Sequence, residues 1–484
     1  MMPKFTKDAG GKAVNQLLCW YDYFSIPQKP GPAKLQSIES IPSYVQRSEH
    51  LCVLAPSLWH NDLPKVVNKN SWQSRGWCRV EQSMFALTRG QLMDASSFFI
   101  HHAGYVLEAV PMQWLYALPQ DGEFSSENDR PVIRKMIGAV AEQRLQRLKS
   151  SGGRHPFEYR FMQAAFRYIK PGVESIKELA EWLPAYRFCN ATDAGTPDGW
   201  NPIHFAVVEG NVPIIQALVQ EEEVDVNSKT IGDAVTIQAA KGCTPMMIAA
   251  QYIPDCDVNL EVVQALVDLK GDVAARSTYG CQVIHYAAKA PAGRKTLSYL
   301  LSLNVDVNSQ DDNGETPLHS ASAVNATSNV TRTENVEVLL RAGANPNTIG
   351  GRMGSSPMHM GASGPCKVYK LFLENKGDPN LRMPEHAGRD QIKDMLKDYA
   401  DDNVAAIFAT HGTGCTPLMF AAWQGNWEVA ETLLKRGADP HLRTKSGRNA
   451  IDWLHAYGVF TGHTHDVLSK YMANAGNAGT GGQG

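Results

Sequence analysis

The sequence predicts a mainly helical protein in which the last three-fifths of the chain form a repeat solenoid. Two observations support this prediction. A short phrase recurs six times between residues 201 and 422. It opens with a polar residue, which is usually followed by proline, and continues with apolar residues and a small alanine. Most copies are followed by an apolar helical pattern and a turn that ends in Asn. One unit repeated in this way is typical of stacked helical arrays, in which each unit buries its apolar face against its neighbours.

The six copies share a helix-capping residue at the start, and five of them continue with proline. Their openings are Asn201-Pro202-Ile203-His204, Thr244-Pro245-Met246-Met247, Gln282-Val283-Ile284-His285, Thr316-Pro317-Leu318-His319, Ser356-Pro357-Met358-His359 and Thr416-Pro417-Leu418-Met419. Thr or Ser caps the helix, and Pro in the first turn leaves no N–H unpaired. These phrases resemble the T-P-L-H-x-A-A opening of ankyrin repeats. The resemblance implies an ankyrin solenoid of about six units over residues 195–458, which binds a protein partner through its concave face and finger loops.

The spacing of the openings indicates where this array carries insertions. Successive anchors lie 43, 38, 34, 40 and 60 residues apart, against about 33 for a plain ankyrin unit. The segments 253–257 and 325–331 lengthen turns within units, whereas 230–241 and 383–411 lengthen connections to the next unit. The last segment contains an amphipathic pattern, so a degenerate unit is the alternative to an insertion. Because it lacks the opening phrase, we favour an insertion.

Four openings place a histidine at the same position, and this repetition bears on its role. Since the position recurs with the fold, we predict structural hydrogen bonds between neighbouring units. Metal binding or catalysis is the alternative, but no His or Cys spacing in the chain defines a metal site. We therefore predict no metal.

Composition excludes several classes of function. The net charge is −3, from 46 Lys and Arg against 49 Asp and Glu, so no basic field exists to hold nucleic acid. No apolar run approaches the ~20 residues of a membrane span, and the first residues lack a signal-peptide core. Phosphate-binding loops, nucleophile elbows and zinc-binding helix motifs are absent from the sequence. We expect a cytoplasmic protein without a membrane span.

Residues 1–105 show a different pattern, in which short apolar runs alternate with helical segments. The runs at 18–24, 51–55 and 96–100 predict buried strands. Strands that alternate with helices predict a small α/β domain with a parallel sheet.

Two phrases in this region carry a second resemblance. W-Y-D-x-x-S-I-P-Q at residues 20–28 and R-G-W-C-R-x-E at 75–81 are similar to Toll/interleukin-receptor (TIR) domains. The domain is partial, since the family's first strand and helix do not fit ahead of residue 18. In NAD-cleaving members the glutamate of the second phrase is catalytic, so the resemblance implies that role for Glu81 and cofactor-site roles for Trp77 and Asp22. Alternatively, Trp77 is core and Glu81 a first-turn carboxylate that the helix dipole favours.

The remaining segments flank the array. Residues 106–194 read as a helical connector that caps the solenoid, with helices predicted over 132–148 and within 157–188. Residues 459–484 are expected to contain a helix end and a disordered Gly/Ala-rich tail from residue 473.

The sequence therefore predicts a protein-interaction scaffold or adaptor in signalling. The alternative is a TIR-like hydrolase that the array regulates and that takes NAD as a substrate; no other cofactor is expected. The TIR-like domain also implies self-association.

Overall fold

The computed structural model describes most of the chain from residue 118 onward and parts of the region before it. The described residues are 36, 40–47, 51–54, 58–59, 66–67, 72, 74–88, 98–102, 106–109, 118–124, 126–152, 156–170, 172–193, 198–233, 240–322, 333–395, 404–457 and 462–478.

These residues contain five strands and a long series of helices. The strands are β1 (Leu51–Leu54), β2 (Leu58–Trp59), β3 (Val66–Val67), β4 (Phe98–His102) and β5 (Val106–Ala109). The helices ahead of the first opening phrase are α1 (Ile41–Arg47), α2 (Gly76–Thr88), α3 (Asp129–Ser150), α4 (Pro156–Ile169) and α5 (Leu179–Ala185). Those that follow are α6 (Pro202–Glu209), α7 (Val212–Gln220), α8 (Pro245–Tyr252), α9 (Cys256–Asp268), α10 (Val283–Lys289), α11 (Gly293–Ser302), α12 (Pro317–Ser322), α13 (Thr333–Arg341), α14 (Pro357–Met360), α15 (Cys366–Glu374), α16 (Ala387–Met395), α17 (Val404–His411), α18 (Pro417–Trp423), α19 (Trp427–Lys435), α20 (Ala450–Tyr457) and α21 (Gly462–Ala478).

The N-terminal region contains a small three-stranded sheet in the order β1-β4-β5. Strands β1 and β4 are parallel, with Leu51 opposite Phe98, which confirms the two predicted strands and their orientation. The prediction of a wholly parallel sheet is wrong, because β5 follows β4 after a short connection and pairs with it antiparallel. The predicted strand 18–24 lies outside the described residues.

The solenoid consists of two rows of stacked helices. The opening phrases form the inner row, in which α6, α8, α10 and α12 contact one another in turn, followed by α14, α18 and α20. The outer row contains α7, α9, α11, α13, α15, α19 and α21. The inner helices are almost completely buried; every residue of α8 is buried, for example. This arrangement confirms the predicted helical solenoid.

The stack extends beyond the predicted limits 195 and 458 at both ends. At the start, α4 packs on α6 and α5 packs on α7, and a buried ion pair of 3.0 Å between Arg144 and Glu158 ties α3 to α4. At the end, α21 packs on α19 and α20. The prediction of disorder from residue 473 is wrong for 473–478, since α21 continues to Ala478. Alanine is the best helix former, and Leu468 is fully buried against the array.

The long connection at 383–411 forms a helix pair outside the stack. Helices α16 and α17 pack on each other, while α14 contacts α18 directly and α15 contacts α19 directly. The units on either side therefore stack as if the segment were absent. The structure places 383–411 as an insertion in a finger loop and not as a further unit.

Candidate protein-interaction surface

The histidines of the opening phrases join each inner helix to the next finger loop. In His319, Nδ1 accepts the backbone N–H of Thr316 at 3.0 Å and Nε2 lies 3.3 Å from the carbonyl oxygen of Ser355, in the next unit. His204, His285 and His359 make the equivalent pair of bonds, to Ser228, Glu315 and Cys415. Because Nδ1 accepts, the proton of the neutral ring resides on Nε2 and is donated to the carbonyl. The predicted structural role is confirmed.

Burial keeps these rings uncharged. The pKa of His204, His319 and His359 is lowered to about 4, chiefly because the charged ring would be removed from water. The pKa of His285 is also lowered, for the same reason. Their lone pairs and protons are used in the fold, so these rings act as structural bridges.

A second ladder runs along the turns that close the outer helices. Asn308 accepts the N–H of Asn345 at 3.0 Å and donates to the carbonyl of Gly343 at 3.2 Å, both in the next unit. Asn227, Asn347 and Asn380 repeat this two-way bridge. The second turn has Ala274 at this position, so the bridge from the second to the third unit cannot form. The sequence predicted the recurrent Asn but not its partners.

Backbone hydrogen bonds join successive finger loops into one row. Ile231 N–H donates to Asp198 O at 3.0 Å, and Thr278 N–H donates to Lys241 O at 3.2 Å. The row continues with Asp312 to Tyr279 and Gly351 to Asn313, and beyond the insertion Lys445 N–H donates to Thr413 O. Fingers fixed to one another in this way present a pre-organised edge beside the inner helices.

Two of the most exposed apolar side chains lie on this row. Ile231 is 62% exposed and Tyr279 is 43% exposed, on the first and second fingers. Isolated apolar residues on a surface are common, but Tyr is among the residue types enriched in binding hot spots.

The residues to which the TIR resemblance assigns roles lie partly within the described region. Trp77 and Glu81 are one turn apart on α2, and both are half-buried. The Trp77 indole donates to Asp129 Oδ2 at 2.9 Å and so ties α2 to α3. Asp22 lies outside the described residues. The structure therefore brings Trp77 and Glu81 together on one helix, and their roles in NAD cleavage remain a prediction.

Other binding features are sparse in the described part of the chain. A shallow groove of about 670 Å³ lies between the outer helices α9 and α11, lined by Leu260, Arg294 and Tyr299 among others. Within the described ranges, no three His, Cys, Asp or Glu side chains are grouped to hold a metal ion. No helix there combines the length and the apolar character that a membrane span requires.

Comparison with known families matches the array to ankyrin sequences. A family described as "Ankyrin repeats (3 copies)" matches residues 161–277, 231–311 and 284–383. A second, "Ankyrin repeats (many copies)", matches 402–453. Together these matches cover more than half of the 484 residues.

Individual relatives match only part of this chain. The human transient receptor potential cation channel subfamily A member 1 is 28% identical over 183 residues, or 38% of this chain and 14% of the channel. A putative ankyrin repeat protein of Rickettsia bellii is 34% identical over 85 residues, or 16% of this chain and 51% of that protein. Human neurogenic locus notch homolog protein 1 is 30% identical over 144 residues, or 28% of this chain and 5% of that protein. The chain thus spans about half or less of the length of these relatives.

Among solved structures, the ankyrin repeat domain of Bcl-3, a member of the IkappaB family, is similar to this chain. The two are 21% identical with a TM-score of 0.38, over 56% of this chain and 99% of that domain.

Proposed function

Because this chain belongs to the ankyrin-repeat family, we propose that it is a scaffold that holds a protein partner against its finger row and concave face. The single observation that supports this is the finger row itself. Its loops are joined by backbone hydrogen bonds from Asp198 to Gly351 and again from Thr413 to Lys445, so a partner meets a fixed edge and loses little binding energy to loop ordering.

The test compares the two faces of the array. The full-length chain is used as bait, with charge reversal on the fingers (Arg352→Glu with Lys445→Glu) or on the outer helices (Arg341→Glu with Lys435→Glu). All four side chains are exposed. We expect a specific partner to be lost with the finger variant and retained with the outer-helix variant, as quantified by mass spectrometry. Equal capture by both variants would contradict binding through the fingers.

A second candidate function is NAD cleavage by the N-terminal domain. The supporting observation is the parallel pair β1–β4, whose connection includes α2, the helix that carries Glu81 and Trp77. Loss of NAD over time is measured with the purified chain, with Glu81→Ala and with Glu127→Ala as a control on an exposed carboxylate. Turnover that only Glu81→Ala abolishes is the expected result for an enzyme. No turnover in any of the three proteins counts against this function.

We also propose that the scaffold acts in cytoplasmic signalling and that residues 1–105 self-associate. Self-association predicts a concentration-dependent mass in light scattering of the full-length chain. A constant monomer mass across the concentration range would contradict it.

A further inference from the structure

The first two fingers carry exposed apolar side chains that the fold holds in place. Ile231 donates its N–H to Asp198 O, as does Gly232 at 3.1 Å. Gly199, at φ 69°, has no side chain, and a Cβ there would lie 1.8 Å from Ile231 Cγ1. Ile231 therefore rests over a glycine that leaves room for it, although 62% of its surface is exposed.

Tyr279 is fixed in a comparable way on the neighbouring finger. Its carbonyl accepts the N–H of Asp312 at 3.1 Å, and its hydroxyl donates to Asp233 Oδ2 at 3.4 Å. The next residue, Gly280, has φ 77°, where a side chain would also meet Asp312. An exposed aromatic ring on so constrained a loop loses little conformational entropy on binding.

Two carboxylates accompany these apolar side chains. Asp233 lies two residues after Ile231, and its Oδ1 accepts the N–H of Lys241 at 2.7 Å. The pKa of Asp198 is raised, first by partial burial and then by the negative charge of Asp233. A Cβ at Gly232, the residue before Asp233, would lie 3.5 Å from Asp198 Oδ1, so the negative charge of Asp233 acts on Asp198 at close range.

Two of the nearby cations are directed elsewhere. Lys229 Nζ donates to the carbonyl of Arg276 at 2.8 Å. Arg276 donates to Gln310 O at 3.0 Å and reaches Asp312 at 3.4 Å, on the third finger. The sequence of 234–239, A-V-T-I-Q-A, adds no charge. A positive group from a partner would therefore relieve the repulsion between Asp198 and Asp233.

We propose that Ile231, Tyr279, Asp198 and Asp233 form a docking site for a partner segment that presents an Arg or Lys side chain beside an aliphatic one. This inference rests on the proposed scaffold function and names the chemistry of its partner. The aliphatic group packs on Ile231 and the Tyr279 ring, and the basic group lies against the two carboxylates. Apolar anchors supply the affinity and the charge supplies selectivity.

The experiment uses fluorescein-labelled hexapeptides and the full-length chain, with anisotropy as the readout at low salt. The peptides alternate Arg with Leu, Glu with Leu, or Arg with Ser. We expect the Arg/Leu peptide to bind at least tenfold more tightly than the other two and to weaken as salt is added. Failure of the Arg/Leu peptide to bind, or equal binding of all three, would overturn the proposal.

Variants locate the site on the array. Tyr279→Ala and Asp233→Asn are each expected to weaken the Arg/Leu peptide at least fivefold. Asparagine keeps an oxygen for the Lys241 N–H, so Asp233→Asn preserves the loop. The matched controls, Leu303→Ser and Asp268→Asn, change exposed residues on the outer side of the array and are expected to bind as the parent does. Unchanged binding of the Arg/Leu peptide by both finger variants would contradict the inference. The scaffold function itself would stand if the partner is still lost on charge reversal at Arg352 and Lys445.

Discussion

Acidification from pH 7.5 to 5 is expected to destabilise the array, because three buried histidines take up a proton in this pH range only when the chain unfolds. His204, His319 and His359 each have a pKa lowered from 6.5 to about 4 by burial. In each ring Nδ1 accepts a backbone N–H. A protonated ring would therefore place two donors against each other.

The magnitude follows from proton linkage. The unfolded chain takes up protons near pH 6.5 and the folded chain near pH 4, so stability present above pH 6.5 is lost as the pH falls through this window. At pH 5 each histidine accounts for about 2 kcal/mol of lost stability, and the three together for about 6 kcal/mol. Asp198 and Glu315 have raised pKa values and act in the opposite direction, since the folded state protonates them more readily.

The assay is urea unfolding followed by circular dichroism at several pH values. His319→Met is the matched variant, because Met247 and Met419 occupy the same position in two other units. It is expected to lower stability at pH 7.5 by about 1–3 kcal/mol, since it leaves the Thr316 N–H and the Ser355 carbonyl without the ring. It is also expected to remove about one third of the change in the free energy of unfolding between pH 7.5 and 5.

Two results would refute this reasoning. One is a free energy of unfolding that changes by less than about 1 kcal/mol between pH 7.5 and 5. The other is a pH dependence that is the same in His319→Met as in the parent chain. Either would mean that the buried rings do not control proton uptake on unfolding.

The turn ladder, the buried ion pair and one residue with left-handed backbone give three further expectations. Ala274→Asn is expected to restore the missing bridge between the second and third units and to raise the free energy of unfolding in urea by about 1 kcal/mol; an unchanged midpoint would contradict this. Glu158→Ala is expected to cost about 3–5 kcal/mol in thermal unfolding, because Arg144 stays buried without its carboxylate; a cost below about 1 kcal/mol would contradict it. Lys376→Gly is expected to raise the melting temperature, because Lys376 has φ 63° and the left-handed region costs a non-glycine residue about 1 kcal/mol.

Two of these expectations have matched controls within the chain. Lys370→Gly, on the exposed face of α15, is expected to lower stability by about 1 kcal/mol, since glycine weakens a helix interior. A loss in both lysine variants would show that Lys376 carries no strain. The double variant Arg144→Met with Glu158→Leu is expected to recover most of the stability that Glu158→Ala loses.

The sequence predicted the array well, because each unit repeats the same local chemistry. The capping residue, the proline and the histidine of the opening phrase are visible without knowing any contact. The path of 383–411 could not be read in the same way. Its position depends on Arg389, a buried side chain whose guanidinium binds the carbonyls of Met353 and Pro384. A charged residue on a polar-looking helix gives no sign of such burial.

The N-terminal region was predicted less completely for a similar reason. Apolar runs identify β1 and β4, but β5 lies in the segment from residue 106 that was read as a helical connector, so its antiparallel addition was missed. Trp77 looked like either core or a pocket wall, and its bond to Asp129 depends on where α3 packs. At the other end, the composition of 473–478 suggested a flexible tail, whereas docking of α21 on α19 decides its state.

The insertion at 383–411 separates distance along the chain from distance along the stack. Asn380 and His359 reach 57 and 56 residues ahead to bind Gly437 and Cys415, although the array advances by a single unit. During folding the last unit must therefore close a loop of about 60 residues where about 33 would suffice. Chain-closure entropy makes this step less favourable by about 0.5 kcal/mol. Folding that spreads from unit to unit along the array, in either direction, is therefore expected to slow at this one boundary.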